Sequence, residues 1–184
     1  PISLLQQIEL DPLLKASWRL QLTAVVLLPF AIVQWRQQPS EVKAQMFEKR
    51  TLAILALSGL ALALHFGAWV ASLKYTTLTH SLLFVTAHPL IVVAGMFILG
   101  ILLTGVRQPT QRELVGAIIG FAGAALTLLD EGTQQGDNTV TLLGDSLALL
   151  GAFTVVGYIV CGRILRAWMP IFLYAFPVTL LAAV

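Results

Sequence analysis

An all-α integral membrane protein, folded as a multi-pass helix bundle, is the fold class this sequence predicts, and three observations predict it. Hydrophobic residues make up 58% of the 184 and charged residues only 11%, where an ordinary soluble domain carries roughly 25% charged residues. The mean hydropathy is +0.87. Apolar runs long enough to cross about 30 Å of hydrocarbon recur at 16–35, 51–73, 78–104, 114–129, 142–162 and 169–184. The connections between them are short and polar, so the chain forms one membrane unit with no soluble domain.

The first run carries Trp18 and Trp35 at its two ends, where amphipathic rings anchor at the membrane–water interfaces. Arg19 stands near its start, placed to snorkel to head groups. In the second run Ser58, His65, Trp69 and Ser72 follow at intervals of seven, four and three, which puts them on one helical stripe. Trp69 on that stripe is placed either to pack or to stack on cargo. The connection "KYTT", 74–77, is a tight hairpin that makes the next run antiparallel. Residues equidistant from a pivot near 76 then share a depth, and His65 and His88 are such a pair, about 12 to 15 Å below the surface at about 1.5 Å per residue.

The third run holds "SLLFVTAHPLIVVAG", with Ser81, Phe84, His88 and Gly95 on one predicted stripe. Pro89 has no N–H to donate and frees a carbonyl near Val85, which kinks the helix or offers an acceptor to a ligand. "GAIIGFAG", 116–123, in the fourth run is a GxxxG element that lets two backbones approach, within the chain or between two copies in a homodimer. A polar outer loop follows, and Asp145 is placed to cap the fifth helix. There Gly151, Thr154, Tyr158 and Cys161 form a third stripe. His80 falls near a span end, where a solvated or interfacial place is expected.

Charge placement sets orientation. Arg36, Lys43, Lys49, Arg50, Arg107, Arg112, Arg163 and Arg166 lie in alternate connections, against Lys15, Arg19 and Lys74 on the other side. This is the positive-inside pattern, so the pI of about 9.0 reports topology and no nucleic-acid partner. The single Cys161 excludes an intramolecular disulfide. The chain opens on Pro1, outside, and stops within "FPVTLLAAV"; a further helix before Pro1 and more after Val184 are expected.

Ionisable groups inside a membrane are costly and usually functional, which singles out His65 and His88. Each is suited either to an interhelical hydrogen bond or to contact with a substrate, and a neutral imidazole can also take up a proton. No carboxylate in these two runs would share that proton. Ser58 and His65, about 10 Å apart along one helix, cannot form a nucleophile–base pair. His80 and His88 are about 12 Å apart with no Cys, Asp or Glu at ligand spacing. Neither catalytic residues, a metal nor another cofactor is expected.

The segments "LHFGAWVASLKYTTLTHSLLFVTAHPLIVVAG", "GAIIGFAGAALTLL" and "LLGDSLALLGAFTVVGYIVCGRILR" resemble the EamA-type transporters of the drug/metabolite transporter superfamily. The resemblance implies ten helices in two inverted five-helix repeats, of which this chain holds about helices two to seven, truncated at both ends. Residues 1–129 would be helices two to five of the first repeat, 130–141 an outer loop, and 142–184 the start of the second repeat. It also implies a multi-pass protein of the plasma membrane or an organelle membrane. The function implied is a secondary transporter moving a small organic solute by alternating access through a central cavity. His88, His65, Trp69, Tyr158 and Arg19 are the residues expected to meet that solute, with the lipid bilayer as surroundings. The family more often has a small residue where His88 precedes its proline. A membrane scaffold and, less readily, an intramembrane hydrolase are the alternatives.

Overall fold

The structure is a computed structural model that describes residues 12–102, 107–126 and 140–183. Among the described residues eight helices follow in chain order: α1 (Pro12–Gln37), α2 (Ser40–Met46), α3 (Lys49–Ser72), α4 (Leu78–Val85), α5 (His88–Leu102), α6 (Gln111–Leu126), α7 (Leu142–Leu165) and α8 (Ile171–Ala182). The described residues contain no strand, and the all-α membrane bundle stands. Four segments are long and apolar enough to cross a membrane, Ala16–Gln37, Lys49–Ser72, Leu78–Leu102 and Leu142–Leu165. Most of the predicted outer loop, with the far end of the fourth run, lies outside the described residues.

The third run is two helices rather than one kinked helix. Thr86 and Ala87 form a turn between α4 and α5, because Pro89 donates nothing to Val85 and the neighbouring N–H groups fall back on shorter bonds. Ala87 N–H donates to Phe84 O (3.2 Å) and Leu90 N–H to Ala87 O (2.9 Å). Thr86 Oγ1 donates to Leu82 O at 2.7 Å, a back-bond that also bends helices. A second departure is α2, a short helix in the basic connection, where Lys43 Nζ lies 5.6 Å from the Trp35 ring centroid.

α3 is the centre of the bundle, with its most extensive contact to α7 and further contacts to α8 and α1. α3 and α7 run antiparallel. A Cβ on Gly151 would meet His65 O at 3.3 Å, and one on Gly157 would touch Ala61. At the far end Gly144 presses on Tyr75 and Thr76, so closely that an added Cβ would lie 2.6 Å from Tyr75 C. Small residues on α7 therefore set this approach, as interhelical contacts in membranes generally require.

α8 lies antiparallel along α1, which supplies polar caps to both its ends. Gln34 Oε1 accepts from Phe172 N–H (2.9 Å), and Ser17 Oγ donates to Ala183 O (2.6 Å). These bonds occupy helix-terminal groups that would otherwise be orphaned in hydrocarbon. The buried core, Ala31, Leu55, Leu165, Met169, Leu173, Tyr174 and Val178, sits where α1, α3, α7 and α8 meet.

The hairpin register holds: Ser72 and Ser81, equidistant from the predicted pivot, share a 2.6 Å hydrogen bond. Ser72 Oγ also donates to Trp69 O at 2.6 Å, so Ser81 is the donor between the two. Two expectations need correction. Thr141, not Asp145, caps α7, its Oγ1 accepting from Gly144 N–H at 3.1 Å. Asp145 instead reaches across to the hairpin, accepting from Thr76 Oγ1 at 2.8 Å and facing the half-buried His80 Nδ1 at 3.5 Å. The Thr141 hydroxyl, meanwhile, donates to Tyr75 O. The GxxxG glycines make no close packing in the described residues, where nothing lies within 4 Å of a Cβ on Gly116, Gly120 or Gly123.

Candidate functional site

The break before α5 leaves a backbone carbonyl without its helical donor. Val85 O, deprived of its helical donor, lies 3.3 Å from His88 Nδ1. A carbonyl only accepts, so this bond requires the proton on Nδ1 and leaves Nε2 with a lone pair. His88 lines a cleft of about 510 Å³ between α5 and α6. Thr86 and Pro89 share its break end, while Gly116, Gly120 and Phe121 form the α6 wall. Glycines at 116 and 120 keep that wall low; side chains there would fill the space. The two glycines thus line a cleft rather than a close helix contact among the described residues, a difference that the GxxxG spacing could not show.

Arg107, Glu113 and Arg163 line the same cleft at its charged end. Arg107 meets Glu113 through two parallel bonds, Nη2 to Oε1 at 2.7 Å and Nη1 to Oε2 at 3.0 Å. Glu113 also closes a capping box with Thr110: Thr110 N–H donates to its Oε2 at 2.8 Å, and Thr110 Oγ1 accepts from Glu113 N–H at 3.3 Å. Hydrogen bonds from Arg107, then from Thr110, hold the Glu113 carboxyl down to about 2, and the same pair raises the Arg107 guanidinium. In the sequence Arg107 and Arg163 counted only as charges in two connections, and Glu113 was not singled out. The Thr110-x-x-Glu113 spacing was the available signal.

The other expected residues are placed elsewhere. His65 Nδ1 donates to Gly151 O at 2.8 Å, an interhelical bond from α3 to α7, and its ring lies edge-on to Phe66 at 5.1 Å. It is within electrostatic reach of His88 but does not line the cleft. Trp69 and the exposed Arg19 share a different, smaller cleft of about 130 Å³ between α1 and α3, with Phe66 and Thr23. Trp69 Nε1 is buried with no hydrogen-bond partner among the described residues. Tyr158 lines a third cleft, of about 310 Å³, with Tyr174, Arg163 and Arg166.

Stripes predicted as continuous are divided by the bundle. Phe84 and Gly95 line an apolar cleft of about 460 Å³ with Leu149 and Phe153, away from His88. The turn at Thr86–Ala87 ends the regular helical phase between Phe84 and His88, so the two need not share a face. On α3, Ser58 bonds Tyr174 Oη at 2.6 Å, His65 bonds α7 and Ser72 bonds α4. On α7, Thr154 Oγ1 donates to its own backbone at Leu150 O and Gly151 O. Ser58, His65 and Ser72 thus tie helices together, whereas His88 lines the cleft of about 510 Å³ and Tyr158 that of about 310 Å³.

Comparison with known proteins gives a family and nothing finer. The model described as the EamA-like transporter family matches residues 2–129. No curated protein and no solved structure matches the chain.

Proposed function

Because the chain belongs to the EamA-like transporter family, a family of membrane transporters, we propose that it moves a small organic solute by alternating access, with the cleft beside His88 as the solute's path. The observation that carries this reading is the broken helix. A discontinuous helix near the middle of the bilayer, with an irregular backbone facing a cavity, is how many secondary transporters build a binding site. His88 Nδ1 is occupied by Val85 O, and Nε2 is then an acceptor suited to a hydroxyl, amide or ammonium donor on the cargo.

The ends of the bundle support a direction of opening. Opposite the arginines, Thr76–Asp145, Thr141–Tyr75 and His80–Asp145 contacts hold the α3–α4 hairpin against α7. At the arginine-rich end the cleft is open and edged by Arg107, Glu113 and Arg163. By the charge pattern that end faces the cytoplasm, so this conformation is the inward-open one, and the turn at Thr86–Ala87 is the hinge for the return. His65 positions α3 on α7, while Trp69, Arg19 and Tyr158 meet the solute in other conformations or after it has left the cleft. The bilayer is the plasma membrane in this reading.

The test compares metabolites inside and outside cells expressing the wild type, His88→Ala, Gly120→Leu or nothing, by mass spectrometry, at matched membrane levels. A solute redistributed by the wild type, and lost in both variants, identifies the cargo and supports the path. If Gly120→Leu, which fills the cleft, moves the solute at the wild-type rate, the path assignment is wrong.

A further inference from the structure

Arg163 and Arg166 close one side of the cleft of about 310 Å³ formed with Tyr158, Ile159, Gly162 and Tyr174. They stand three residues apart at the C-terminal end of α7, on one face. No carboxylate lines this cleft. Neither guanidinium makes an ion pair among the described residues, in contrast to Arg107. Glu113, which shares the His88 cleft with Arg163, is held bidentately by Arg107.

The wall facing the arginines is fixed. Tyr174 can approach α7 because Gly162 lacks a side chain; a Cβ there would lie 2.9 Å from Tyr174 Oη. Its hydroxyl donates to Tyr158 O at 3.3 Å, leaving Ser58 Oγ to donate to it at 2.6 Å. The two tyrosine rings lie 6.1 Å apart, and Tyr174 is buried. The result is a shallow, rigid aromatic seat edged by two unpaired, planar donors. Guanidinium groups match tetrahedral oxyanions in geometry and hold them through charge-assisted bonds.

We propose that this cleft binds a phosphate-bearing anion, clamped between Arg163 and Arg166 against the Tyr158–Tyr174 wall. The site is distinct from the His88 cleft, though Arg163 borders both. Two sources share this chemistry, an anionic phospholipid headgroup of the cytoplasmic leaflet and a free phosphate-type anion. Val160 and Ile164 on α7 and Ile171 on α8 are about half exposed and offer apolar surface to acyl chains, and basic pockets between helices on this side suit anionic headgroups.

The test uses the full-length protein in nanodiscs of phosphatidylcholine with a minor fraction of phosphatidylglycerol, read by native mass spectrometry. Retention of phosphatidylglycerol on the wild type, reduced about tenfold or more in Arg163→Gln/Arg166→Gln and largely kept in Arg163→Lys/Arg166→Lys, supports the site with lipid as its source. In pure phosphatidylcholine, saturable binding of inorganic phosphate to the wild type, lost in the glutamine variant, supports it with a free anion as source. Wild-type protein that retains the two lipids equally and binds no phosphate overturns the proposal without reference to any variant. So does retention unchanged by Arg166→Gln and by the double glutamine variant.

Discussion

Substituting Gly144→Ala probes the contact that holds the hairpin against α7. The added Cβ would lie 2.6 Å from Tyr75 C, 2.7 Å from Tyr75 O and 2.6 Å from Thr76 Cβ. Two of these are backbone atoms that cannot rotate away, so α7 must shift at its N-terminus. Overpacking of this kind costs about 1–3 kcal/mol. The shift also weakens Thr76–Asp145 and Thr141–Tyr75, each worth about 0.6 kcal/mol in a membrane. Against this, alanine improves helix propensity by up to about 1 kcal/mol. The net expected loss is about 1–3 kcal/mol, or some 2–12 °C at about 2–4 °C per kcal/mol for a chain of this size. Gly123→Ala is the internal control, since nothing lies within 4 Å of its Cβ and propensity alone should raise stability slightly. Thermal unfolding of both variants in one detergent, followed by size-exclusion chromatography, measures the difference. Equal shifts for the two would falsify the argument that the 75–76 turn sets the α3–α7 approach.

His65→Phe keeps a ring beside Phe66 and removes the donor to Gly151 O, which still accepts from Thr154 Oγ1 at 3.0 Å. The expected cost is therefore about 0.6 to 1.7 kcal/mol; a melting-temperature loss several times larger would mean the imidazole does more than join two helices. Pro89→Ala supplies an N–H that competes with His88 for Val85 O, so hydrogen exchange around residues 86–90 should slow and transport should fall. Unchanged exchange would show that the break does not originate in the proline. Glu113 has a folded value of about 2 against 4.5, and a depressed carboxyl contributes stability above the higher value that is lost as pH falls through the lower. The melting-temperature difference between wild type and Glu113→Gln should thus be constant above about pH 5 and disappear toward pH 2; a difference independent of pH would exclude the ion pair as its source.

The membrane class, four of the six predicted spans and the hairpin register were legible in the sequence because they rest on local properties. Apolar length sets a span whatever its neighbours, and a connection as short as 74–77 admits only an antiparallel partner, which Ser72 and Ser81 confirm by their bond. The chemistry of Pro89 was legible for the same reason, since a missing N–H orphans Val85 O in any helix. The group that answers that carbonyl was not: His88 turns back on it because the helix breaks outright at Thr86–Ala87. Periodicity assumes a continuous helix, so it put Phe84 and His88 on one face, and with the turn between them the two line different clefts.

Only tertiary structure decided which polar residues bond to helices and which line space. His65 and His88 are one residue type expected at one depth, yet Gly151 O stands opposite the first and an open wall of glycines lies beside the cleft at the second. Asp145 could cap its own helix or cross to another, and the proximity of Thr76 and His80 chose the second. A hydrogen-bonding side chain states in sequence what it can bond; its partner is set by which backbone the fold brings within about 3 Å.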